Sequence, residues 1–297
     1  MKTRWTTIAG IVTLLLLPPS SLAARHIQIT ACPYTANVAG AIYTVVNNIG
    51  DHGGCIDVAA PRITVKINGK IVGGGVVIEP VARRAHILGP GTIWDTLVDE
   101  GDSALIEGLV LQGGGGSGLV LRGVSGTIVE RNKVYGADGI DFRGSQKCKI
   151  NHNKVRATSG GQYSPAYDIW IEAATVKGQS KDNVISNNNL AGKGGLDGAS
   201  MGILVGDSLD AYGNCPAGRY PIEGTVIMNN NASNHSGWDV PGIGISLGCN
   251  GDSAHSVIKH NTALHNQNYD LYDGNPDCGT NTWEDNHFKT SNQSCIK

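Results

Sequence analysis

From Gly126 onward one seven-residue pattern recurs: two apolar or mixed residues, two mostly polar ones, an Asn, a polar residue, then a small or apolar one. It reads Ile128-Val129-Glu130-Arg131-Asn132-Lys133-Val134 and returns as Lys149-Ile150-Asn151-His152-Asn153-Lys154-Val155. The same phase places Asn188, Asn230, Asn261 and Asn286 further along, so the spacings run 21, 35, 42, 31 and 25. Between consecutive Asn motifs lies a second short segment: Gly118-Leu119-Val120-Leu121, Gly139-Ile140-Asp141-Phe142, Asp168-Ile169-Trp170-Ile171, Gly202-Ile203-Leu204-Val205, Gly244-Ile245-Ser246-Leu247 and Asp270-Leu271-Tyr272. Both segments alternate with period 2, which marks strands. No helical period lies between them, so βαβ units are excluded. A lone strand cannot bury its apolar face, and stacked coils solve that problem. In such a stack equivalent positions lie about 4.8 Å apart, close enough for each Asn to hydrogen-bond the Asn above and below.

Composition agrees. The chain has 297 residues with 42 Gly, a 40% hydrophobic fraction and no Gly-X-Y period, which excludes collagen and argues against disorder. Charged residues are 16% of the chain, 23 basic against 25 acidic, so no polycationic field exists to attract nucleic acid.

Lys2 and Arg4 precede an apolar run from Ile8 to Leu17, and Ser21-Leu22-Ala23 supplies small residues for cleavage. This reads as a secretory signal peptide over residues 1–23, cleaved near Ala23, with one domain over 24–297 and no membrane span. The expected location is secreted or periplasmic. Seven Cys in an exported chain invite disulfides. Locality suggests Cys32 with Cys55, Cys215 with Cys249, and Cys278 with Cys295, leaving Cys148 as a small core residue.

The Asn ladder and the repeated Gly-Ile strand resemble the pectate-lyase-like superfamily, in particular the bacterial proteins with right-handed parallel β-helix repeats, over roughly residues 30–297. The resemblance implies an all-β, single-stranded right-handed parallel β-helix solenoid and carbohydrate-directed activity. Val38 to Asn48 reads as an amphipathic N-terminal capping helix, followed by Gly53-Gly54-Cys55-Ile56-Asp57-Val58. The Cys278–Cys295 segment is expected to close the other end.

With Leu119, Ile140, Ile169, Ile203, Ile245 and Leu271 inward, alternation turns Val120, Asp141, Trp170, Leu204, Ser246 and Tyr272 outward. Two positions further on, Arg122, Arg143 and Glu172 also point outward. Arg122, Asp141, Arg143, Trp170 and Glu172 therefore gather on one face. Three insertions enter beside this strand and carry Tyr163, Tyr167, Lys193, Asp197, His235, Trp238 and Asp239, which suggests a groove for an extended polysaccharide. The catalytic candidates are Arg143, Asp141, Glu172 and Arg122. The substrate-binding candidates are Trp170, Tyr163, Tyr167, Asp168, His235, Trp238 and Tyr272.

Proton abstraction beside a uronate carboxylate needs a base and a charge neutraliser. Arg143 or Arg122 fits those roles, with Asp141, Glu172 or Asp168 as further acid/base groups or Ca²⁺ ligands, Ca²⁺ being the cofactor the resemblance allows. Tyr135-Gly136-Ala137-Asp138-Gly139-Ile140-Asp141-Phe142-Arg143 is similar to the start of the mannuronan epimerase signature but lacks the Pro-His-Asp that follows it. Hydrolysis needs two opposed carboxylates, such as Asp141 and Glu172. The polygalacturonase-like Gly-His-Gly and Arg-x-Lys signatures are absent. The leading expectation is β-elimination on an acidic polysaccharide by a monomer, and the runner-up is glycan binding without turnover. A third reading is that these charges form a solvated cross-strand ladder, each pair contributing about 0.2–1 kcal/mol. His152 and His260 share one phase but lie three rungs apart, about 14 Å, too far to share an ion.

Overall fold

The computed structural model describes residues 24–50, 53–158, 166–172, 180–190, 201–207, 220–236, 242–248 and 253–297. The strand pairings among them are parallel, in a 14-stranded sheet, a 10-stranded sheet and a small two-stranded pair. Chain order alternates between the two large sheets, so each passage through both is one coil of a parallel β-helix. Parallel crossovers of this kind take the right-handed sense.

The register matches the period-2 reading residue for residue. Leu119, Ile140, Ile169, Ile203, Ile245 and Leu271 are stacked neighbours in the second sheet, and all are fully buried. Val129, Ile150, Ile185, Ile227 and Ile258 form the facing stack in the first sheet. A one-residue slip would turn these apolar columns out of the core, so burial itself fixes the register. Burying each Ile or Leu contributes about 1.5–3 kcal/mol.

The six Asn form one continuous ladder. The Oδ1 of Asn153 accepts from the backbone N–H of Asn132 at 2.9 Å and from its Nδ2 at 3.1 Å. The arrangement repeats from Asn153 to Asn188, Asn230, Asn261 and Asn286. Each Nδ2 also donates to a backbone carbonyl of the preceding coil, Asn188 to Ile150 for example. The residue before each ladder Asn has positive φ: Arg131, His152, Asn187, Asn229, His260 and Asp285. That left-handed bend aims the Asn inward, and Asn, Asp and His tolerate it better than other non-Gly residues. His152 and His260 are thereby explained as bend residues.

A second column runs along another bend, through Thr127, Cys148, Asn183, Thr225, Ser256 and Asn281. Each precedes a first-sheet strand, and the carbonyls of the first five accept from the N–H groups of Lys149, Val184, Val226, Val257 and Thr282 on the next coil. Asn183 Oδ1 accepts from the Cys148 N–H at 3.0 Å, and Asn281 Oδ1 accepts from the Ser256 N–H at 3.1 Å. Cys148 is buried there with a free thiol, and burial pushes that thiol up to about 12. It is a core residue, as expected.

Two expectations on the ends are answered. Cys32–Cys55 and Cys278–Cys295 are bonded, while Cys215 and Cys249 lie outside the described residues. The capping helix over Val38–Asn48 is absent: Ile42–Val45 is a strand, paired with His26–Ile29 on one side and Thr64–Lys66 on the other. Tyr43 and Val45 point into the core while Ile42 and Thr44 are half-buried, so a short β-branched and aromatic run with period 2 prevails over the weaker helical pattern. Among the described residues no helix is long and apolar enough to cross a membrane.

Candidate functional site

The outer face of the second sheet carries the expected cluster. Val120, Asp141, Trp170, Leu204, Ser246 and Tyr272 stand in one row, and Arg122, Arg143 and Glu172 in the next. The structure thus brings Asp141, Arg143, Trp170 and Glu172 onto adjacent strands. Arg143 Nε donates to Asp141 Oδ2 at 2.7 Å and lies 3.9 Å from Glu172 Oε2. Arg122 turns the other way and pairs with Glu100 at 2.9 Å.

Asp141 departs from a simple surface carboxylate. It points outward from the helix interior yet is 0% exposed, and its Oδ1 has no hydrogen-bond partner among the described residues. Burial raises its pKa, and the hydrogen bond from Arg143 opposes that rise. Arg143 is in turn held cationic above the ordinary arginine range, chiefly by its hydrogen bond to Asp141. Asp138, three residues earlier at the mouth of the same strand, is pushed up to about 6 by burial, with the like charge of Asp141 adding to the rise. Its Oδ1 accepts the Tyr167 N–H at 3.2 Å. Sequence periodicity did not single out Asp138 or Glu100. The spacing Asp138-Gly139-Ile140-Asp141, two carboxylates around a strand start, carries the signal for the first; the second emerges only from its partner.

Beside the charges lies an apolar surface. Tyr167, Met201, Leu204 and Ile243 form a buried cluster separate from the helix interior, with Trp170 and Tyr272 packed against it. The Trp170 ring sits 5.1 Å from Tyr167, and its indole N–H donates to the Gly206 carbonyl at 2.9 Å. Tyr272 sits 5.8 Å from Tyr269, which is 36% exposed. The two aromatic pairs stand three strands apart, about 14 Å.

Two expected binding residues are elsewhere. His235 was expected on an exposed insertion beside Trp238 and Asp239, but it is 0% exposed, as is Asp168. The two side chains meet each other at 3.0 Å inside the molecule, because Gly202 on the intervening coil leaves room for the ring. Neither reaches the outer face. Tyr163 and Trp238 lie outside the described residues, as do Lys193, Asp197 and Asp239. Among the described residues no group of three His, Cys, Asp or Glu is arranged to hold a metal ion.

No family model matches the chain, and no curated protein matches its sequence. Solved structures do. The Dettilon tailspike protein superposes with a TM-score of 0.54 at 15% identity, over 86% of this chain and 60% of that one. A tailspike protein mutant of E. coli bacteriophage HK620, in complex with a pentasaccharide, gives a TM-score of 0.51 at 13% identity, over 84% of this chain and 53% of that one. This chain therefore spans little more than half the length of either. At such identities the likeness is one of fold, and it places the chain's architecture with the right-handed parallel β-helix proteins of phage tailspikes.

Proposed function

We propose that the outer face of the second sheet binds a glycan chain and that Asp138, Asp141, Arg143 and Glu172 cleave it by glycoside hydrolysis. The observation that carries this reading is Asp141: a fully buried, outward-facing carboxylate with one oxygen unpartnered among the described residues, beside a second carboxylate that burial pushes up to about 6. A protonated acid and an ionised partner are what glycosidic cleavage requires. Asp138 donates its proton to the leaving glycosidic oxygen as that C–O bond breaks, Glu172 takes a proton from the water that attacks the anomeric carbon, and Arg143 holds Asp141 by its hydrogen bond. Trp170, Tyr269 and Tyr272 offer ring faces for sugars. A pentasaccharide bound to a protein of the same fold supports glycan as the ligand class.

β-Elimination on an acidic polysaccharide fits less well. Arg143 is held cationic by Asp141 and is a poor base. Among the described residues two guanidiniums, Arg122 and Arg143, stand against Glu100, Asp141 and Glu172, with Asp138 adding a fourth carboxylate once it ionises, so the formal balance of these groups is 2 − 3 = −1 with Asp138 protonated and 2 − 4 = −2 with it ionised. A uronate chain would meet repulsion there unless a cation such as Ca²⁺ intervened. The Asn ladder supports the finer placement in the pectate-lyase-like superfamily, a fold that does not choose between these reactions. Binding without turnover is the second reading. It draws on the pair of Arg131, a bend residue, with Glu107 of the first sheet, an ion pair of the same kind at 2.6 Å.

The two disulfides suit an oxidising compartment, in keeping with export; residues 1–23 lie outside the described structure. The test of function is incubation of the purified protein with neutral and acidic polysaccharides, with and without Ca²⁺. New reducing ends without ultraviolet-absorbing unsaturated product are expected. Unsaturated product on a uronate polymer would reinstate elimination, and retained binding with neither product would favour the second reading.

A further inference from the structure

We propose that Asp168 and His235 share one buried proton, and that this clamp positions the strand Tyr167–Glu172 and lets go of it as pH rises. Asp168 stands near the start of that strand, two residues before Trp170, and is 0% exposed. Its Oδ1 accepts the Ala157 N–H at 2.6 Å, and its Oδ2 lies 3.0 Å from His235 Nε2. The other ring nitrogen, Nδ1, lies 2.9 Å from Asn266 Oδ1, which also accepts the His235 backbone N–H.

The orientation of the Asn266 amide is fixed by its surroundings. Its Nδ2 faces the Ala232 carbonyl at 3.1 Å and Asp270 Oδ1 at 3.0 Å, both acceptors. Asn266 therefore presents oxygen to His235, and Nδ1 must carry a hydrogen. Nε2 then has a lone pair aimed at a carboxylate unless one more proton sits between them. Two acceptors facing each other at 0% exposure would cost far more than binding that proton. Whether it rides on the carboxyl or the imidazole, the pair is neutral overall.

Among the described residues the charged groups facing the pair are Arg156, which draws Asp168 toward its anion, and Asp270, beyond Asn266. Asp270 is already satisfied by Asn266 and by the N–H groups of Lys289 and Thr290. Gly202, on the coil between, brings no side chain, and a Cβ there would sit 2.9 Å from His235 Cε1.

The clamp ties together chain positions at the feet of two insertions. Ala157 and Asp168 bracket the segment 158–167, while the carbonyl of His235 and Gly242 are joined through Gln267 and Asn268 around 236–241. Trp170 and Glu172 share the clamped strand, so Asp168 and His235 act as positioning residues for the site, a role that rests on the glycan reading. The proton count does not rest on it.

Loss of the proton strands two acceptors in the folded state only. Since folded Asp168 has a raised pKa, driven by burial, its pair contributes stability that is present at low pH and lost as pH rises through the folded value. Thermal unfolding midpoints against pH, for the wild-type chain and for Asp168→Asn, test this. The new amide can donate to a neutral ring and still accept from Ala157. The wild-type midpoint is expected to fall on the alkaline limb and the variant's limb to flatten. Equal alkaline slopes in the two proteins would overturn the shared proton. Should the variant fail to fold, imidazole ¹⁵N shifts of wild-type His235, assigned with His235→Gln, decide: protonated Nδ1 at neutral pH is required, and an unprotonated Nδ1 refutes the clamp. If a glycan binds, its affinity should weaken at alkaline pH in the wild type but not in Asp168→Asn. An identical loss in both would remove the positioning role while leaving the proton count standing.

Discussion

A ladder Asn does more than fill a bend: Asn188 accepts two hydrogen bonds from Asn153 and donates to Ile150 and Asn230. Its truncation would leave several buried polar groups without partners, each costing about 1–3 kcal/mol. Asn188→Ala is therefore expected to lower unfolding free energy by at least about 2 kcal/mol in denaturant titrations, and Asn286→Ala, at the exposed end of the ladder, by distinctly less. The neighbouring column makes the opposite kind of prediction. Cys148 occupies a place where Asn183 and Asn281 are at home in other coils, and its sulfur already leans toward the Val124 carbonyl that an amide could reach. Cys148→Asn should be tolerated within about 1 kcal/mol, whereas Cys148→Leu should cost about 1–3 kcal/mol through overpacking; comparable losses in both would refute the second column. The first column was legible because one residue type repeats in phase. The second was not, because Thr, Cys, Asn and Ser serve it interchangeably and no single letter marks it.

At the scale of strands and bends, each coil pairs only with its neighbours, so local damage should stay local. The Cys278–Cys295 bond closes a segment of 17 residues at the last coil, and a loop of that size contributes about 3 kcal/mol. Replacing both Cys with Ala should raise amide exchange in Thr282–Glu284 and Tyr269–Asp273 while the stack from Leu119 to Ile203 stays protected. Loss of protection throughout would contradict the coil-by-coil picture. Register was readable from the sequence because period-2 burial admits one alignment, which set Asp141 beside Trp170 and Arg143 beside Glu172. The strand Ile42–Val45 was misread as a helix because four residues decide it, too few for periodicity to discriminate. What periodicity could not convey was depth: inward and outward follow from the strand, but the burial of Asp141, Asp168 and His235 depends on groups contributed by other coils.

For the whole molecule, the buried acids set a pH signature. Asp99 lies inside the core, where burial pushes it up to about 7 against the hydrogen bond from Thr127, and Asp138 is held at about 6. Both folded values exceed the ordinary 3.8, so the native state binds more protons than the unfolded chain across roughly pH 4 to 7. Stability should fall as pH rises through that window. Asp99→Asn, which keeps the bond from the Gly101 N–H, should flatten the fall; an unchanged profile would contradict the placement of Asp99. The fold was thus almost wholly written in the spacing of Asn and Gly, and the site only in its register, since the acid pair that distinguishes it owes its properties to burial. Whether Asp138 and Glu172 cleave a glycan is decided by reducing-end release from the wild-type chain beside Asp138→Asn and Glu172→Gln. The wild type should release reducing ends, and each variant should lose about 10²–10⁴-fold in turnover while still binding the glycan. Turnover in both variants at the wild-type rate would contradict that role.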